Sequence, residues 1–424
     1  MKKTLLLTLF CSLSVMAGTD DSFLLRGGTV HPVSGPGIPN GSVLVRDGKI
    51  VEVGTKVAAP KGVRVIDVKG LHVYPGMIDS ATEIGLSEIG AVRETNDAME
   101  IGDFNPQVRA IVAINPASEH IPVTRANGIT SAIAAPTGAL VAGQAALIHL
   151  DGWTWQEMAV RPAASMQLQF PVVQGRSSRY TERPGAARTP FAEMKRDYDR
   201  RLQQLHQFFE EARRYRQAKA AAPAGFRPDV TYEAMLPVLE GKLPLVVHAV
   251  RERAIKDAIA FADKEKLKIV ISEATDAWKV VADLKAKNIA LILGPTLDLP
   301  AEEDDPYDKP FTAPGELHKA GVKFAFGSFS TSFSRNLPYQ AATAVAFGLP
   351  YEEGLKAVTL NAAEIWGVAN EIGSIDKGKW ADLIVTDGDP LETRTQLKME
   401  FIKGKTVDLE NKHHRLYEKY LNRP

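Results

Sequence analysis

The 424-residue chain carries 51 basic and 51 acidic side chains, so no net charge draws it to nucleic acid or to an anionic membrane surface. With 45% hydrophobic and 24% charged residues, and its 33 glycines and 26 prolines dispersed, the composition is that of a globular protein and excludes disorder, collagen and coiled coil. The chain is longer than one ordinary core of ~150 residues, which leaves two units or one large barrel with smaller pieces attached, and a small molecule or short peptide as the expected ligand.

The chain opens with Met1-Lys2-Lys3, continues in the apolar run Thr4 to Met16 and closes that run with the small pair Ala17-Gly18. This basic, apolar, small order is that of a secretory signal, so residues 1–17 are expected to be removed and the protein exported to the periplasm or beyond. The run is short for a bilayer span and no later stretch reaches that length, so no membrane anchor is expected. Cys11 is the single cysteine and leaves with the signal, which excludes disulfides and cysteine catalysis from the mature chain. Phe10 stands before it, where a lipidation site needs a small residue.

Segments 23–33 and 42–54 read as short strands, the second folded at the turn Asp47-Gly48. A like pattern returns at Asp382 to Thr386 and Met399 to Lys405, and the two are expected to complete one β-sandwich from residues 18–70 and 373–410. Between them, over 71–372, short apolar runs alternate with amphipathic stretches. The runs include Val73 to Ile78, Ser131 to Ala135, Leu243 to Val247, Lys268 to Ile271, Ile289 to Leu293 and Lys323 to Phe326. This grammar implies parallel βα units and fits a (β/α)8 TIM barrel better than an open sheet, with functional residues just after the strands' C-terminal ends.

A helical insertion is expected near 190–222, with Thr189 as N-cap, Pro190 at its start and an apolar stripe through Met194, Tyr198, Leu202, Leu205, Phe209, Ala212 and Tyr215. Its other face mixes arginines with Asp197, Asp199, Glu210 and Glu211, which reads as a solvated, salt-bridged surface rather than a nucleic-acid site. The stretch Gln174 to Arg188 reads as an exposed loop, and residues 411–424 as a tail.

The segment Gly70-Leu71-His72-Val73-Tyr74-Pro75-Gly76-Met77-Ile78-Asp79 resembles the start of the first barrel strand in the amidohydrolase superfamily, the metal-dependent hydrolases related to dihydroorotase and imidazolonepropionase. Asp376 to Val385 is similar to that family's return into its β-sandwich, and Ala357 to Gly367 to the helix before it. The resemblance implies a (β/α)8 barrel with a sandwich built from both chain ends, and hydrolysis of C–N bonds by a metal-bound hydroxide, with one divalent ion, zinc first, as the cofactor of an active member.

The chain departs from the family at the ligands. Where Asp-x-His-x-His is usual, Asp79-Ser80-Ala81-Thr82-Glu83 places Ala81 and Glu83 at the histidine positions. Gln167 approximates the bridging lysine after the fourth strand and cannot be carbamylated. His248 is kept after the fifth strand, Glu273 stands where histidine is usual after the sixth, and Ser328 or Phe329 replaces the eighth-strand aspartate. The ligand set this leaves is Glu83, His248 and Glu273, two carboxylates and one imidazole with a position open for water. His248 also reads as a hydrogen-bonded structural residue. No catalytic residue is assigned, the base being open among Asp79, Ser328 and Asp97.

Arg93, in the polar loop Glu88 to Asp97, and Gln144, in a glycine-flanked loop Gly138 to Gln144 after the second strand, are the candidate substrate contacts. Trp153 and Trp155 read as hairpin packing. Two functions remain: a hydrolase with a rebuilt single-metal site, or a metal-free homologue that binds a ligand or pairs with another subunit, as a homo- or hetero-oligomer.

Overall fold

A computed structural model describes residues 21–173, 190–221 and 225–423. The signal at 1–17, the Gln174 to Arg188 loop and the Thr189 cap lie outside these. Among the described residues no helix is long and apolar enough to cross a membrane.

Five strands open the described chain: β1 Phe23–Val30, β2 Ile38–Arg46, β3 Lys49–Gly54, β4 Arg64–Asp67 and β5 His72–Pro75. The β2–β3 hairpin turns at Asp47-Gly48, both with positive φ (50° and 73°), the conformation a two-residue hairpin needs. A Cβ on Gly48 would lie 2.4 Å from the Lys403 carbonyl oxygen, so glycine also lets the far end of the chain dock there. Eight strands follow: β6 Met77–Thr82, β7 Ile129–Ala134, β8 Val141–His149, β9 Ala159–Gln169, β10 Leu245–Ala249, β11 Ile269–Glu273, β12 Ala290–Leu293 and β13 Phe324–Phe326. The chain then returns through β14 Leu383–Thr386, β15 Leu397–Ile402 and β16 Lys405–Thr406.

The first five and last three strands form one sheet in the order β16-β15-β14-β5-β1-β2-β3, with β4 also on β1. Its two chain ends share a core in which Phe23, Leu25, Val43 and Val45 pack with Leu383, Val385 and Phe401. The run Val73 to Ile78 is divided at Gly76: His72–Pro75 pairs with β14, and Met77 begins the barrel. A Cβ at Gly76 would stand 2.2 Å from Thr130 Oγ1, so the crossing from sheet to barrel requires a residue with no side chain.

The strands β6 to β13 form the barrel, and β13 returns to β6 where Phe329 N donates to Ala81 O at 2.8 Å. Seven of the eight run parallel; β8 is antiparallel to both β7 and β9. The segment Gly138 to Gln144 is therefore no simple loop, since Val141 to Gln144 begin β8. The barrel interior is lined by small and apolar side chains, Ala145, Leu147, Ala164, Val246, Val270, Ile292 and Ala325 among them, the filled core expected of such a barrel.

The long helix spans Phe191–Ala221 and lies on the barrel's outer layer. Tyr198, Leu205, Phe208, Phe209 and Ala212 are its buried face. Phe209 meets Phe261 edge-on at 5.5 Å, and Tyr198 donates to Asp257 at 2.8 Å. The outer face is laced by Lys195–Asp199, Arg200–Asp197 and Arg214–Glu210 pairs, the solvated face read from the sequence.

Candidate functional site

Three of the sequence-derived positions converge at the C-terminal mouth of the barrel. His248, on β10 and 7% exposed, lies beside Gln167 of the neighbouring β9, whose register places His248 opposite Gln169. The His248 Nε2–H donates to Gln167 Oε1 at 2.9 Å, and the Gln167 amide donates to Ser165 Oγ at 2.7 Å. Because the Gln167 oxygen only accepts, that chain of donors places a proton on Nε2. Nδ1 is buried without a hydrogen-bond partner and stands 3.5 Å from Glu273 Oε1.

Glu273 ends β11 with φ +69°, and Ala274 follows at +46°. Two successive non-glycine residues in the left-handed region cost about 1–2 kcal/mol each. The strand end is held by the bond from Gly294 N to Glu273 O at 3.1 Å, and the bend leaves the carboxylate beside His248. Gln167 lies within β9 rather than after a strand, since β9 runs to Gln169.

Asp79 is completely buried on β6 and accepts three hydrogen bonds, from Ser334 Oγ at 2.6 Å, Ser328 N at 2.9 Å and Ala81 N at 3.3 Å. Burial pushes its carboxyl up to about 6, against the opposing pull of the Ser328 and Ser334 bonds. The position that is usually an aspartate on the eighth strand thus supplies a serine that ties Asp79 down. Ser334 had no signal in the sequence; it lies 255 residues from its partner. Gly327 faces Ala81, and a Cβ on Gly327 would lie 2.9 Å from the Ala81 Cβ, so the two small residues let β6 and β13 close.

The remaining expected contacts stand apart from the His248–Glu273 pair. Glu83 is half-buried just after β6, and burial raises its carboxyl above the ordinary range. Among the described residues no hydrogen bond or ion pair joins its carboxylate to His248 or Glu273. Arg93 is exposed on a short 3-10 turn, Arg93–Thr95. Gln144 spends its amide on Pro106 O at 3.0 Å. Trp155 begins the short helix Trp155–Met158, while Trp153 is 92% exposed, so neither forms the expected hairpin pair.

A catalytic divalent ion needs about three protein ligands converging on one point with a position left for water. Among the described residues no group of three or more His, Asp, Glu or Cys side chains is placed to hold one. The donor set explains this: one ring nitrogen and one carboxylate meet, Asp79 is filled by protein donors, and Ala81 offers no ligand atom. The residues present do not fit the ion that the resemblance implies.

The model of the amidohydrolase family matches residues 186–409. The amidohydrolase tasK of Hapsidospora irregularis is 23% identical over 385 residues, 83% of this chain but 38% of its own length. An imidazolonepropionase of Flavobacterium johnsoniae is 36% identical over 97 residues, 22% of this chain and 23% of that protein. The chain therefore spans 38% of the length of the first of these relatives, and its match to the second is local. A solved amidohydrolase structure from Thermotoga maritima superposes with TM-score 0.79 at 27% identity, covering 91% of this chain and 99% of that one. The chain belongs to the amidohydrolase family.

Proposed function

We propose that this chain is an exported member of its family that binds a small-molecule or short-peptide ligand at the barrel mouth without hydrolysing it through a bound metal. The observation that carries this reading is that only one ring nitrogen and one carboxylate meet at the mouth, while the other polar side chains there are spent on protein partners. Asp79 is spent on Ser328, Ser334 and Ala81, and Gln167 on His248, where a hydrolytic metal site needs free donors. Exposed apolar side chains on the loops beyond the strand ends, Ile89, Met99 and Ile101 after β6 and Leu297 and Leu299 after β12, supply apolar surface of the kind that ligand sites use.

The test is an assay of the purified mature chain against N-acyl amino acids and dipeptides, with and without added zinc, alongside thermal-shift screening of the same compounds. Binding shifts without turnover are expected. Zinc-dependent turnover would overturn the reading.

A second reading, a hydrolase of C–N bonds with a single ion on Glu83, His248 and Glu273, draws support from family membership and from one observation, the unpartnered His248 Nδ1 facing Glu273. It requires Glu83 to swing to that pair. Under it, turnover is lost in both His248→Ala and Glu273→Gln; under the first there is none to lose.

A further inference from the structure

The tail after residue 410 carries a helix, Lys412–Leu421, capped by the buried Asn411, whose side-chain oxygen accepts from His413 N at 2.9 Å and His414 N at 3.2 Å. Every residue of this helix is exposed. Helical spacing puts Leu416, Tyr417, Tyr420 and Leu421 on one face and Arg415, Glu418 and Asn422 on the opposite one. The polar face is the one tied to the body of the protein. Arg415 Nη2 donates to both carboxyl oxygens of Glu119, at 3.0 and 2.9 Å, just ahead of the helix His120–Arg125. This inverts the usual arrangement, in which a surface helix covers the core with its apolar stripe. The four apolar side chains are left 38% to 63% exposed.

Basic side chains border that face. Lys412 and Lys419, seven residues apart, follow one edge of it, and Arg423 places its guanidinium 4.9 Å from the centre of the Tyr420 ring. All three are exposed, and among the described residues none has an ion-pair partner. Glu418 is the one acidic residue from 412 to 424. On the body of the protein Arg335 extends the basic margin, since its charge acts on His413. Its guanidinium also lies 6.0 Å from the ring of the exposed Phe333. The charge balance of the whole chain hides this local excess.

We propose that this face is a docking surface for an anionic lipid bilayer. The helix lies in the plane of the headgroups, with Leu416, Tyr417, Tyr420 and Leu421 inserted and Lys412, Lys419 and Arg423 at the lipid phosphates. A basic margin around an apolar, tyrosine-bearing face complements a surface that is anionic above a hydrocarbon layer. At ten residues the helix rests on the bilayer and is too short to span it. A second copy of the chain fits the face less well. Pairing the face with itself would set the lysine edges of two chains together. The four side chains also expose on the order of 400 Å², about half of what each partner buries in a stable interface.

Co-sedimentation of the full chain with vesicles of phosphatidylglycerol and phosphatidylcholine, and with vesicles of phosphatidylcholine alone, tests this. Binding to the anionic vesicles is expected to exceed binding to the neutral ones at least about tenfold, and to fall in about 0.5 M salt. Lys412→Glu/Lys419→Glu and Tyr417→Ser/Leu421→Ser are each expected to weaken it at least about fivefold while keeping the thermal unfolding of the wild type. No binding, equal binding to both vesicles, binding that ignores salt, or either variant leaving it unchanged overturns the proposal. So does a dimer in analytical ultracentrifugation that Tyr417→Ser/Leu421→Ser dissolves while the vesicles stay bare. The lipid and salt comparisons use the wild type alone and decide the matter if a variant does not fold.

Discussion

Asp79 sits where the family places a residue next to its metal ligands, but here its neighbours are protein donors that consume both oxygens. Its carboxyl is raised to about 6 from an ordinary value of 3.8, so its contribution is complete below about pH 4 and is lost as pH climbs through about 6. That loss corresponds to about 3 kcal/mol at 1.36 kcal/mol per unit. Stability measured by denaturation between about pH 4 and 7 should fall along that slope in the wild type and lose it in Asp79→Asn. Ser334→Ala removes an opposing donor, so it should move the slope to higher pH. For Gln167→Leu, which leaves the His248 Nε2–H unsatisfied, a loss of about 1–3 kcal/mol is expected by the same measurement. The sequence identifies His248 and Glu273 because each stands at a strand end in a local motif. It conceals the Asp79 latch, since Ser328 and Ser334 meet it only through barrel closure, 249 and 255 residues away.

At the scale of elements, strand runs, the long helix and the β2–β3 turn are legible from periodicity and turn chemistry, and β8 is not. Gly143 interrupts its apolar pattern, and a Cβ there would lie 2.7 Å from Val108 O. The residue is there so that the segment near Asn105 to Arg109 can press against the strand, a long-range demand with no local signature. Gly76 marks the other hidden boundary, because sheet and barrel strands read as one apolar run until Thr130 is seen against it. Gly76→Ala should destabilise by about 1–3 kcal/mol through overpacking. Adding Thr130→Ala should return part of that loss, and a double-mutant cycle by thermal or urea unfolding would show the coupling. Equal and additive losses would mean that Gly76 is chosen for backbone conformation alone.

Across the whole molecule, the paired strand patterns at the two chain ends and the motifs at both barrel junctions are enough to infer the architecture, since a sheet made from distant segments leaves hydrophobic alternation in each. What the chain does with that architecture depends on atoms that converge at one mouth. The family's fold is kept, and Asp79 and Gln167 there are spent on protein partners. Elemental analysis of the protein, purified without chelators and compared with His248→Ala, tests this most directly. Zinc well below one per chain is expected in both proteins. One zinc per wild-type chain that disappears in His248→Ala, together with loss of amide or peptide hydrolysis, would contradict it.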